Sequence, residues 1–147
     1  MKVYKFGGAS VKDANGVRNL HKIISNSNDN LVVVISAMGK TTNALELVVN
    51  SFFNHKSDTE ALLKKVVDYH ENIINDLFGA NRTEIDSHIN GLYEKINGIL
   101  SDKPSLSYDY EYDRIVSFGE LISTTIVACY LKYQGLNADW IDIRECI

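Results

Sequence analysis

Proline is almost missing from the 147 residues: Pro104 stands alone, and with nine glycines it leaves few stiff turns, so most of the chain should lie in regular elements. Cysteine is nearly as scarce. Cys129 and Cys146 lie apart with no other sign of an oxidising compartment, so both are expected as free thiols rather than as a disulfide staple. Positive charge is in deficit, with 15 Lys and Arg against 19 Asp and Glu. The basic residues are also dispersed, which removes the positive footprint that a nucleic-acid binder needs. Long apolar runs are lacking too, because residues 31–35 and 126–131 fall far short of the ~20 needed to cross a bilayer. The N-terminal Met1-Lys2-Val3-Tyr4 has no apolar stretch ahead of small residues, as a secretory leader would have. The expected compartment is the cytoplasm, with no membrane contact.

What the chain does contain is ordinary for a globular protein, at 45% hydrophobic and 23% charged residues. Its length suits one domain that buries about two thirds of its unfolded surface. Val3, Tyr4 and Phe6, bounded by Gly7-Gly8, predict a short strand over 2–6. Val17, Leu20, Ile23 and Ile24 then recur at helical spacing, with Asp13 or Asn15 able to cap the start. Residues 26–30 are Asn, Ser and Asp only and form a loop. The β-branched run 31–35 suits a strand covered on both faces.

Further helices are predicted from near Asn43, from a Ser57/Glu60 capping box to Gly79, from Asn81 or Thr83 to Leu100 as the second arm of a hairpin, and from about Asp109 to Gly135 with Gly119 as a break. Residues 137–143 read as a third strand. The order is β-α-β, helices, then β, which gives an α/β fold with a parallel sheet layered by helices.

Three stretches carry chemistry. In Lys5-Phe6-Gly7-Gly8-Ala9-Ser10 the glycines at a strand end let backbone N–H groups approach phosphate oxygens, and Lys5 can offset the charge of a transferred phosphoryl group. An ordinary turn with a solvated lysine explains the same residues. Gly39-Lys40-Thr41-Thr42 is not a P-loop, since the position five before Gly39 is Val34 within a strand. It remains a hydroxyl-rich turn at the carboxyl end of a strand, where open α/β sheets bind ligands, or simply a helix cap. In Ser117-Phe118-Gly119-Glu120-Leu121-Ile122-Ser123 a carboxylate interrupts an apolar helix; Glu120 either meets a cationic group or lies on a solvated face. His21, His55, His70 and His88 show no metal-ligand spacing and read as surface or boundary residues, so no metal site is expected from protein ligands. Tyr108, Tyr110 and Tyr112, interleaved with acids, favour local packing over base stacking.

Taken in order, Val3-Tyr4-Lys5-Phe6-Gly7-Gly8-Ala9-Ser10-Val11, Ser36-Ala37-Met38-Gly39-Lys40-Thr41-Thr42-Asn43 and Ser117–Ser123 resemble the N-terminal part of the aspartate kinases, in the amino-acid kinase superfamily. Asp139-Trp140-Ile141-Asp142-Ile143-Arg144 also resembles the strand that follows in that family. One departure is Ala9, where the family usually carries Thr or Ser. The resemblance implies a three-layer αβα amino-acid kinase fold, incomplete at the C-terminus, with residues 1–147 as one part without an internal boundary. It implies that Lys5, Phe6, Gly7, Gly8 and Ser10 line the ATP phosphates, with Lys5 catalytic, and that Ser36, Thr42 and Glu120 hold L-aspartate. The reaction implied is transfer of the ATP γ-phosphate, with Mg²⁺, to the aspartate β-carboxylate, giving 4-phospho-L-aspartate. That is the opening step of lysine, threonine and methionine biosynthesis. A homo-oligomer is implied for the full-length enzyme, and little or no activity for this stretch alone. A kinase of the same superfamily with another acid substrate, or a non-catalytic binding module, stays open at this point.

Overall fold

In the computed structural model, which describes residues 1–146, strand β1 (Lys2–Phe6) lies parallel to strand β2 (Leu31–Ile35), with Lys2 opposite Leu31 and Phe6 opposite Ile35. Between them runs helix α1 (Ala14–Ser25), whose N-cap Asp13 accepts a hydrogen bond from the Gly16 N–H at 2.8 Å, and whose Ala14, Val17 and Leu20 enter the core. This is the expected β-α-β unit.

Side chains alternate across the sheet. Tyr4, Phe6, Leu31, Val33 and Ile35 face the helices, whereas Val3, Lys5, Val32 and Val34 form an open face, with Val32 and Val34 each 45% exposed. The expectation that β2 is covered on both faces therefore fails among the described residues, where helices cover one face only.

The remaining helices are α2 (Thr41–Phe53), α3 (Thr59–Phe78), α4 (Thr83–Ser101), α5 (Tyr108–Val116) and α6 (Phe118–Tyr133). Helix α3 packs chiefly on α2, and α4 chiefly on α6 rather than folding back on α3 as a hairpin. Ile85, Ile89 and Ile96 form the buried stripe of α4. Ser57 does not cap α3. The neighbouring Asp58 and Thr59 side chains instead meet the buried Ser51 hydroxyl at 2.5 and 2.7 Å, so the chain enters the helix one residue later. Arg82 ties the start of α4 to α3 through Glu71 at 2.7 Å.

The predicted helix from 109 onward is there, but its break falls at Ser117 and not at Gly119. Taken together, 108–133 is long and apolar enough to cross a membrane, yet 67% of its apolar window is buried inside the protein, as in a core helix. Tyr108 packs edge-on against Phe53 and beside Tyr112, the local packing expected of that tyrosine cluster.

No third strand forms among the described residues. Over 137–142 the chain lies against α6, with the Trp140 indole N–H donating to Thr124 Oγ1 at 2.9 Å, and Asp142 then caps a single 3-10 turn and pairs with Arg144. A strand needs a neighbour to complete its backbone ladder, and β1 and β2 are bonded only to each other. Cys129 and Cys146 are free thiols, as expected.

Candidate functional site

The parallel register brings the ends of β1 and β2 side by side, so the two loops that follow them touch. The Ser36 N–H donates to the Phe6 carbonyl at 3.0 Å, and the Gly39 N–H to the Gly8 carbonyl at 2.9 Å. The approach is close enough to require glycine. A Cβ on Gly8 would sit 2.5 Å from the Ala37 carbonyl oxygen and 3.0 Å from that of Gly39. Gly39 itself has φ +56°, and a Cβ there would meet the Tyr69 hydroxyl at 2.5 Å.

Helix α6 supplies the third side. Gly119 lets its first turn lie against the second loop, a Cβ there coming within 3.0 Å of Ala37 Cβ. The Ser123 hydroxyl donates to the Ser36 carbonyl at 2.8 Å, and Glu120 Oε1 lies 3.4 Å from the Ala37 N–H. The three stretches singled out in the sequence thus converge on one place, beyond the carboxyl ends of two parallel strands.

The polar groups there are left available. Lys5 is exposed and has no ion-pair partner among the described residues; the Ser10, Ser36 and Thr42 hydroxyls make no hydrogen bond among them either. The N–H groups of Gly7, Gly8 and Ala9 likewise have no acceptor among the described residues. Glu120 is exposed at the edge of this place, facing the second loop and with no cationic partner among the described residues.

A model of the amino acid kinase family matches residues 1–147. The chain belongs to the amino acid kinase family. This family member is 34% identical to aspartokinase 2, chloroplastic, of Arabidopsis thaliana over 97% of its own length and 26% of that protein's. It is 28% identical to the bifunctional aspartokinase/homoserine dehydrogenase 2 of Escherichia coli, over 98% of its length and 18% of the relative's. Among solved structures it resembles E. coli aspartokinase III in complex with aspartate and ADP, with TM-score 0.85 and 26% identity over 98% of this chain and 31% of that one. Clostridium acetobutylicum aspartate kinase follows with TM-score 0.75 and 26% identity, over 97% and 30%. The α/β amino-acid kinase fold is therefore established, and the chain spans about a quarter of the length of the curated aspartokinases it matches.

Two residues of this family member carry little local sequence signal for the place they take. His70 is no surface residue: it is fully buried beneath the second loop, with Nδ1 2.7 Å from the Val66 carbonyl and Nε2 3.4 Å from Thr41 Oγ1, whose hydroxyl donates to the Met38 carbonyl at 2.6 Å. The carbonyl partner assigns the ring proton to Nδ1, leaving Nε2 bare toward Thr41. The buried carboxylate is Glu111 rather than Glu120, with Oε1 accepting the Ser105 N–H at 2.8 Å and Oε2 3.5 Å from Arg114 Nε. The i to i+4 position of His70 after Val66 was the available clue, since it permits a ring-to-carbonyl bond within a helix.

Burial holds the His70 imidazole below its ordinary value, against weaker upward effects of the Val66 carbonyl and the Glu71 charge. Protonation is then easier in the unfolded chain, so stability is complete above the ordinary histidine value of about 6.5 and is lost as pH falls through it toward the folded value. Thermal melts from pH 7.5 to pH 5 should show a fall in Tm that is shallower in His70→Gln. Parallel slopes would assign the acid sensitivity to other groups.

Proposed function

We propose that this chain is the aspartate- and phosphate-binding segment of an aspartate kinase, which transfers the ATP γ-phosphate to the β-carboxylate of L-aspartate. The observation that carries the reading is the meeting of an unpaired lysine, free backbone N–H groups, three free hydroxyls and a carboxylate at one sheet end. The resemblance to aspartokinase structures holding aspartate and ADP supports it. In this reading residues 1–147 are the N-terminal part of a larger kinase domain, acting in the cytoplasm as part of a homo-oligomeric enzyme that opens lysine, threonine and methionine biosynthesis.

The division of labour follows from charge. The Gly7, Gly8 and Ala9 N–H groups and the Ser10 hydroxyl donate to phosphate oxygens, with Phe6 as the end of the strand that presents them. Lys5 offsets the negative charge that gathers on the transferred phosphoryl group. The Ser36 and Thr42 hydroxyls donate to substrate carboxylate oxygens, and Glu120 pairs with the ammonium of aspartate. Mg²⁺ is a hard cation that seeks oxygen ligands, and Glu120 is the only carboxylate in the three stretches, so the ion would be held mainly by nucleotide phosphates and water. It would supply further neutralisation between two anionic reactants.

The deciding experiment measures ADP formation by the full-length enzyme against a panel of amino acids: dependence on aspartate is expected, and preference for another acid would move the protein to a different branch of the family. The chain alone should release little or no ADP. In the full-length enzyme, Glu120→Ala should raise the KM for aspartate about 10- to 100-fold, the worth of a hydrogen bond to a charged group, with a smaller change in kcat. An unchanged KM would remove Glu120 from the substrate site.

A further inference from the structure

Away from the three loops, α4 and α6 bring together three side chains that the kinase reading does not use. Glu84 and His88 are one helical turn apart on α4, exposed and on the same side; Cys129 reaches them from α6 and is 7% exposed. One donor atom from each, a carboxylate oxygen, an imidazole nitrogen and the Cys129 sulfur, lies within 4.8 Å of the other two. None of the three groups makes a hydrogen bond elsewhere among the described residues. We propose that Glu84, His88 and Cys129 form a binding site for a borderline divalent metal ion of the Zn²⁺ type, which would fasten α4 to α6.

The donor set selects the ion. A thiolate and an imidazole with one carboxylate suit Zn²⁺ or Co²⁺, whereas Mg²⁺ and Ca²⁺ demand oxygen ligands. Tetrahedral zinc with bonds of ~2.0–2.3 Å spaces its donors roughly 3.3–3.8 Å apart. The present spacing, within 4.8 Å, has to tighten to that range as the ion binds, and Glu84 and His88 are the two ligands exposed enough to move; a water would complete the four-coordinate set. The thiol is protonated when metal-free, because burial and then the Glu84 charge push it up to about 11. Binding therefore releases the Cys129 proton to solvent as the sulfur–metal bond forms, and Lys132, one turn along α6, favours the thiolate.

The test uses the chain carrying Cys146→Ser, so that Cys129 is the remaining thiol, titrated with Co²⁺ alone. One equivalent should bind with a thiolate-to-cobalt charge-transfer band in the near ultraviolet, displaced by Zn²⁺ and unaffected by excess Mg²⁺. His88→Ala, an exposed change that leaves the core intact, should weaken binding at least about 10-fold, the loss that even outer-shell partners of a metal cost. Zn²⁺ should raise Tm in the parent and not in His88→Ala. Absence of the thiolate band, displacement by Mg²⁺, or equal affinity in His88→Ala overturns the site. Kinase assays do not bear on the outcome, so failure here leaves the aspartate reading intact.

Discussion

On the aspartate kinase reading, Lys5→Ala in the full-length enzyme should lower kcat by about 10²- to 10³-fold, the cost of removing one preorganised stabiliser of developing charge, and should leave the KM for aspartate nearly unchanged. The expectation rests on where the lysine stands. It occupies the open face of β1, exposed and without a carboxylate partner among the described residues, one residue before the strand hands over to the glycine turn. A cation held that way has no structural duty to lose, so the variant should melt at the parent temperature. On that reading it would lose an interaction made more strongly as the phosphoryl group leaves ADP than in the bound ground state, which places the expected change in kcat. Lys5→Arg keeps the charge but not the compact point geometry, and should recover only part of the rate. Steady-state kinetics decide the matter. A raised aspartate KM with unchanged kcat would assign Lys5 to the substrate instead.

Gly8→Ala is the second large effect, and it acts through the backbone. The added Cβ would fall 2.5 Å from the Ala37 carbonyl oxygen and 3.0 Å from that of Gly39. Neither oxygen is the tip of a flexible side chain. The two loops must part, which breaks the Gly39 N–H to Gly8 carbonyl bond and pulls Ser36 and Thr42 away from the phosphate side. Overpacking of this kind costs about 1–3 kcal/mol of stability. A displacement near 1 Å can cost kcat/KM about 10²-fold. Gly7→Ala is the control for the fold: a Cβ there meets nothing within 4 Å, and φ is −75°, which any residue adopts. Its Tm should match the parent while that of Gly8→Ala falls. Equal melting temperatures would mean that the loops separate at no cost.

The candidate site was legible in the sequence because each of its parts is local. A strand former followed by Gly-Gly, a hydroxyl-rich turn after a β-branched run, and a carboxylate after a glycine are each visible within a few residues, and the parallel pairing of β1 with β2 follows from the helix between them. What remained hidden depends on partners distant along the chain. Residues 137–143 have the composition of a strand, but a strand is completed by its neighbour, and here the segment rests on α6 through Trp140 instead. His70 looked like a boundary residue because its burial is set by α2 and the loop ahead of it. Glu111 is one of the acids interleaved with the tyrosines and nothing local marks it for burial, yet its carboxylate is buried with the Ser105 N–H and the Arg114 guanidinium beside it. Ser57 had the spacing of a cap, but Ser51, from the preceding helix, engaged Asp58 and Thr59 instead. The meeting of Glu84, His88 and Cys129 joins two helices some 40 positions apart and leaves no trace in local spacing.

The alternation of side chains across β1 makes the aim of the cation a matter of parity. With Lys5 opposite Val34 the ammonium stands on the open face, while Tyr4 and Phe6 point toward the helices. Inserting or deleting a single residue between Gly7 and the start of the strand would exchange those roles, sending an ammonium under the helices and an aromatic ring into water. A change of two residues would restore the facing and alter only the reach. Over these few positions, odd changes in length are changes of chemistry, and even ones are merely changes of size.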